Sequence, residues 1–182
     1  MLSRAAVLDA ALELVDTSGL AALNLRALAT RLGVSAMTPY RYFADKAELL
    51  AAMVGHALAP LALEAATDDP AEQHWHGQLE RAMRVLHDTL ELHPGVVELI
   101  IAESHAAPLE QFRRELIAIL TEVGLPRARA ADALRTLTSY ILGYTMLNRL
   151  RPGSRTDSFE DGLAMIMDSL RREVRPGHVP PD

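Results

Sequence analysis

The amino-acid sequence predicts an all-α protein of about nine helices, and three observations lead there. Apolar residues recur at helical spacing along most of the chain. Glycine and proline interrupt that pattern about once per helix length, at Ser18-Gly19, Gly33, Asp69-Pro70, His93-Pro94-Gly95, Ala107-Pro108, Gly124-Leu125-Pro126 and Arg151-Pro152-Gly153. No alternating apolar–polar stretch of useful length marks a strand.

Each element follows from its own residues. Ser3 is placed to cap a first helix whose face is Val7, Ala11, Leu14 and Val15, and Gly19 closes it in a left-handed conformation. Asn24 caps a short second helix with the apolar face Leu25, Leu28, Ala29 and Leu32, ended by Gly33. Ser35 caps a very short third helix to about Phe43. Asp45 and Glu48, three apart, read as a capping box for a long fourth helix over about Lys46 to Ala66. Asp69, Pro70 and Glu72 then open a helix over about 71–92. Four more follow at about 95–104, 108–123, 128–149 and 157–174, and the tail from Arg175 is expected to be disordered.

Composition excludes several classes. The chain has 182 residues, 49% of them hydrophobic, enough for a true core. It has no cysteine, which removes disulfide scaffolds, thiol nucleophiles and cysteine metal sites. The longest uncharged run, Leu49 to Leu63, is 15 residues, short of the ~18–20 apolar residues of a membrane span. With acidic residues already at Asp9 and Glu13 there is no signal-peptide pattern, so a soluble cytoplasmic protein is the expectation. The ten glycines are never closer than nine residues apart, which excludes a glycine-rich phosphate loop. Ser104 and His105 are sequence neighbours, a poor geometry for a nucleophile and its base. No cofactor is implied. The net charge of −6 falls entirely outside residues 1–56, where five basic and five acidic residues cancel. The N-terminal third is therefore the part least repulsive to a polyanion.

Leu25 to Tyr42 has the layout of a helix-turn-helix. Ala29 is small where the two helices cross, and Gly33 permits the reversal four residues later. The runs Leu32-Gly33-Val34-Ser35, Tyr40-Arg41-Tyr42-Phe43 and Lys46-Ala47-Glu48-Leu49-Leu50 strongly resemble the DNA-binding domain of the TetR family of transcriptional regulators, over about residues 4–56. Phe159-Glu160-Asp161-Gly162-Leu163 also resembles the tetracycline-repressor-like branch. The resemblance implies a DNA-binding domain over 1–46, a ligand-binding and dimerisation domain over 47–175, and a tail over 176–182. It further implies a homodimer that binds palindromic operator DNA and is released by a small apolar or aromatic effector, with no membrane partner. A helical interaction module that has lost specific DNA binding and a small helical enzyme are the alternatives.

On that resemblance Arg26, Ser35, Ala36, Met37, Thr38, Tyr40, Arg41, Tyr42 and Lys46 face DNA. Thr38 and Met37 suit base edges and a thymine methyl, and Arg26 suits a guanine or a phosphate. Tyr40, Tyr42 and Lys46, the one lysine of the chain, suit phosphates. Taken singly, the tyrosines could equally be core aromatics and the charges solvated. Pro39 departs from the family, where leucine is usual. It removes a helical N–H, and it biases Thr38 away from helical angles.

The C-terminal part reads as a pocket and a self-association surface. The run Thr136 to Asn148 has no charge, which predicts a helix buried on all sides. A two-fold four-helix bundle would achieve this with Leu134, Ile141, Leu142, Phe159, Leu163, Ile166, Met167 and Leu170 at its interface, Ser139 and Gly143 allowing close approach; ordinary intrachain core is the alternative. Trp75, Leu79, Met83, Leu86, His105, Phe112, Leu116, Tyr140 and Tyr144 are the candidate pocket lining, with plain core the alternative for each taken singly. His105 lies roughly where tetracycline-sensing relatives hold magnesium. Asn148-Arg149-Leu150-Arg151 replaces their acidic residues, so no metal site is expected.

Overall fold

A computed structural model describes residues 2–64, 74–150 and 157–174. Among them are eight α-helices: α1 (Arg4–Ser18), α2 (Leu25–Leu32), α3 (Lys46–Glu64), α4 (Trp75–Leu92), α5 (Gly95–Ala102), α6 (Ala107–Glu122), α7 (Arg127–Leu150) and α8 (Asp157–Val174). Two 3₁₀ turns, Leu20–Ala22 and Pro39–Arg41, complete the set, and no strand occurs among the described residues. The fold is all-α, as predicted.

The capping residues act as their types require. Ser3 accepts the Ala6 N–H at 3.1 Å, and Asn24 accepts that of Ala27 at 2.9 Å. Asp45 accepts the Glu48 N–H at 2.8 Å, while Glu48 reaches back to the N–H of Ala44 at 2.7 Å, one residue earlier than the usual box. Gly33 has φ 64 and ψ 31, a left-handed backbone that a Cβ would strain, and Val34 donates to the Ala29 carbonyl at 3.0 Å across it. Gly19 differs from expectation: φ 78 and ψ 161 place it outside the left-handed helical region, in a conformation that essentially only glycine adopts.

The third helix is the main correction. In place of a helix from Ser35 to Phe43 the chain makes a turn, with the Thr38 N–H on the Ser35 carbonyl at 2.8 Å, and then the 3₁₀ turn Pro39–Arg41. Pro39 has no N–H to continue an α-helical ladder, so the tighter pattern takes over. Thr38 nonetheless sits in the helical region (φ −66, ψ −46), held by its N–H and by its carbonyl, which accepts from Arg41. The third of the nine expected helices is thus reduced to a single 3₁₀ turn, which leaves eight among the described residues. The expected cap at Asp69, Pro70 and Glu72, the end of the fourth helix beyond Glu64 and the tail lie outside the described residues.

Packing divides the chain into two compact units, one of residues 1–60 and 88–111, the other of 61–87 and 112–182. The divisions fall inside α3, α4 and α6, so these three helices contribute to both. In the first unit Leu28, Phe43, Leu49, Met53 and Val54 are buried together with Val7, Ala11 and Val15 of α1. Gly95 admits α1 closely: a Cβ there would collide with Val15 Cγ1. Asp16 of α1 fastens this contact, one carboxylate oxygen 2.8 Å from His93 Nδ1 and the other accepting the Gly95 N–H at 2.7 Å. Glu98 adds a further bond by accepting the Leu20 N–H at 3.1 Å.

The second unit is centred on α7 and α8. His87 of α4 stacks on Phe159 of α8 with ring centroids 3.8 Å apart, and Tyr140 lies on the same phenyl ring at 5.8 Å. The Tyr140 hydroxyl donates to the carbonyls of Ser158 and Phe159, at 3.0 and 2.9 Å. Burial, then the neighbouring Tyr144, Glu160 and Asp161, raises its pKa. A Cβ on residue 162 would run into that hydroxyl, so Gly162 of the Phe159–Leu163 motif is there for want of space.

Six of the eight residues expected at a two-fold interface, Leu134, Ile141, Phe159, Leu163, Met167 and Leu170, are buried within the single chain. They form its own core and have no surface left to offer a partner; Leu142 and Ile166 are half-buried. The uncharged stretch of α7 is not buried on all sides. Met146, Leu147 and Leu150 of α7 and Met165 of α8 stand exposed instead.

Candidate functional site

The first unit carries the candidate nucleic-acid surface. Leu28 and Ala29 bury one face of α2, which leaves Arg26 exposed on another. The buried Pro39 ring and Phe43 anchor the turn that follows. Around them Ser35, Ala36, Met37, Tyr40 and Arg41 are exposed, Met37 at 68% and Tyr40 at 43%. Lys46 is exposed at the start of α3. The turn thus brings seven of the nine expected residues, with Arg26 and Lys46 counted among them, to the surface of one unit. Thr38 is half-buried.

Tyr42 has a different task. Its hydroxyl donates to the Leu2 carbonyl at 2.5 Å and so ties down the N-terminal segment. That proton is not available for a phosphate. Arg4 lies over the Phe43 ring at 4.8 Å and reinforces the same tether. Three carboxylates of this unit are engaged by partners of their own. Glu13 is engaged by Arg31 at 2.9 Å, and the carboxylates of Asp45 and Glu48 are turned onto backbone N–H groups. The nearby charges of Arg26, Arg41 and Lys46 are left facing solvent.

The second unit contains a cavity of about 130 Å³. Leu61 of α3 and Gln78, Arg81 and Ala82 of α4 form one part of its wall. Phe112, Glu115, Leu116 and Ile119 of α6 form the rest. Of the candidate lining, the cavity brings Phe112 and Leu116 together. Leu79, Met83 and Leu86 are buried in the core beside it, on the inner face of α4. Trp75 is half-buried and outside the lining, and Tyr140 and Tyr144 belong to the Phe159 aromatic cluster. His105 lies in the other unit, its side chain 93% exposed and 3.8 Å from Glu110. Gln78, Arg81 and Glu115 escaped sequence reasoning because a search for apolar stripes passes over polar positions. Gln78 lies three residues before Arg81 and four before Ala82, and Glu115 three after Phe112 and four before Ile119, which was the available signal.

No helix among the described residues is long and apolar enough to cross a membrane. A family model described as bacterial regulatory proteins of the tetR family matches residues 7–53. One described as the tetracyclin repressor-like C-terminal domain matches residues 68–154. A possible TetR family transcriptional regulator of Streptomyces coelicolor A3(2) is similar in structure (TM-score 0.72) and 30% identical, covering 95% of this chain and 100% of that one. BioQ, solved with its double-stranded DNA operator, is also 30% identical, with a TM-score of 0.67 over 94% of this chain and 99% of that one. The transcriptional repressor DrrR1 of Streptomyces coeruleorubidus is 26% identical over 141 residues, 75% of this chain. The chain spans 50% of the length of DrrR1 and 59% of that of the Mycobacterium tuberculosis repressor Rv1353c. On the matched residues, the fold and the exposed turn after α2, the chain belongs to the TetR family of transcriptional regulators, DNA-binding proteins and not enzymes.

Proposed function

We propose that the chain is a homodimeric repressor that binds palindromic operator DNA and lets go when a small molecule enters the cavity of its second unit. The observation that carries this reading is the exposed turn itself. Met37, Tyr40 and Arg41 project from a rigidly capped frame, with Arg26 and Lys46 flanking them and the adjacent carboxylates engaged elsewhere. Arg41, Lys46 and Tyr40 hold phosphates, while Arg26, Met37 and Thr38 read base edges from the major groove. The similarity to BioQ, which has been seen on its operator, and to the repressor DrrR1 supports the same role.

The partner is a second copy of the chain. It covers Met146, Leu147 and Leu150 at the C-terminal end of α7, apolar residues that solvent would otherwise meet. Gly143, with open space where a Cβ would be, lets the two α7 helices approach closely. Dimerisation serves recognition, because two reading heads must span half-sites about 34–36 Å apart or a multiple of one turn. The effector acts through its difference in affinity for the DNA-competent and the released conformers.

The test is selection of bound duplexes from a random DNA pool, followed by fluorescence anisotropy at several salt concentrations. Recovery of a palindrome with steep salt dependence is the expected result. A folded dimer that enriches no sequence would instead favour an interaction module, with the 3₁₀ turn at Pro39 as its cause.

A further inference from the structure

The chemistry of the cavity narrows what can occupy it. Leu61, Ala82, Phe112, Leu116 and Ile119 make an apolar slot. The volume, about 130 Å³, is close to the ~150 Å³ of an engineered apolar cavity that admits benzene. One six-membered ring fills such a space.

The polar groups are unequal. Arg81 is one of the residues lining the cavity, and Gln78, also in the lining, precedes it by three residues on the same face of α4. A guanidinium carries five N–H donors in a fixed fork, so it can serve an intramolecular acceptor and a ligand carboxylate together. Glu115 is at an exposed position, where water screens it. Its carboxylate tolerates one ligand charge beside Arg81 and disfavours a second.

From this geometry we propose that the cavity takes a monocyclic aromatic carboxylate, with its ring in the apolar slot and its carboxylate on Arg81, assisted by the Gln78 amide. The proposal rests on the effector-responsive reading above and adds the size and charge of the effector. It sets this chain apart from a similarly folded TetR variant of Acinetobacter baumannii AYE, solved in complex with minocycline.

The experiment titrates the full chain with benzoate and, separately, with benzyl alcohol, a neutral molecule bearing the same ring. The readout is the fluorescence of Trp75, the one tryptophan of the chain, which lies on the same helix as Arg81. Benzoate is expected to bind at least about tenfold more tightly than benzyl alcohol, the share that a charge-assisted bond supplies. Arg81→Gln should bring benzoate down to about the level of benzyl alcohol and affect benzyl alcohol far less. Arg81→Lys should keep part of the preference, and Leu116→Trp, which fills the slot, should abolish binding of both. Thermal unfolding confirms that each variant is folded.

Equal binding of the two probes, an Arg81→Gln variant that weakens both alike, or competition by minocycline for the benzoate site would each overturn the proposal. Operator release is read separately by anisotropy. Benzoate binding with the Arg81 signature but no release would uphold the cavity assignment and overturn the effector reading. Release by another compound, with no benzoate binding, would do the reverse.

Discussion

Lys46 and Thr38 separate the two kinds of contact that a DNA-binding residue makes. Lys46 is a solvated charge at the first position of α3; on the proposed reading it holds a phosphate and so adds affinity without sequence choice. Lys46→Ala should weaken binding to every duplex and reduce the salt slope by about 1, measured by anisotropy across salt concentrations. Thr38→Ala should instead relax preference at one base pair and spare the slope, which repeated duplex selection would show. Gly162 acts on stability alone. An alanine there forces its methyl onto the Tyr140 hydroxyl, and the overpacking should cost about 1–3 kcal/mol in urea unfolding. In a Tyr140→Ala background that cost should vanish, because the colliding ring is gone.

At the scale of the element, the segment after α2 shows how far local sequence logic reaches. Ser3, Asn24, Gly33 and the Asp45–Glu48 box were legible because each acts within four residues of itself. Pro39 was legible as an obstacle, but its result was not. The balance between a delayed α-helix and a 3₁₀ turn depends on the buried proline ring and on Phe43, which are tertiary contacts. Pro39→Ala restores the missing N–H and should extend the segment into a continuous helix from about Ser35 to Phe43. Hydrogen exchange would then find the new amide at position 39 protected. An unprotected amide would show that the surrounding packing, and not the proline, sets the turn. Base preference should shift in the same variant, because Met37 and Thr38 change their aim.

For the whole molecule, the sequence located α7 and α8 to within a residue and allowed two places for their apolar stripe; six of its eight residues lie in the chain's own core. Periodicity identifies an apolar stripe without saying whose core it joins. Phe159 and Leu163 answer to His87 and Tyr140 of their own chain, and the surface left over is Met146, Leu147, Leu150 and Met165. Leu147→Glu, which places a charge at the C-terminal end of α7, should weaken self-association by about 2 kcal/mol or more without unfolding the chain. Sedimentation velocity measures the first effect and circular dichroism the second. A dimer as tight as the parent would move the interface elsewhere. The cavity was legible in part for a similar reason. Phe112 and Leu116 are apolar and periodic, whereas Arg81 and Glu115 gain their places only from the packing of α4 on α6.

The bond from Asp16 to Gly95 bears on how portable the reading head is. No side chain of α5's own segment caps its first turn; the acceptor is lent by α1, some eighty positions earlier in the chain. Anyone transplanting the DNA-reading part into another regulator would cut naturally after residue 60 and carry away half of a joint. Val15 and Asp16 would then face water, and the graft would need the stretch 88–111 to travel with it. A chimera built on residues 1–60 alone should be less stable, and bind the operator less well, than one that also brings that stretch.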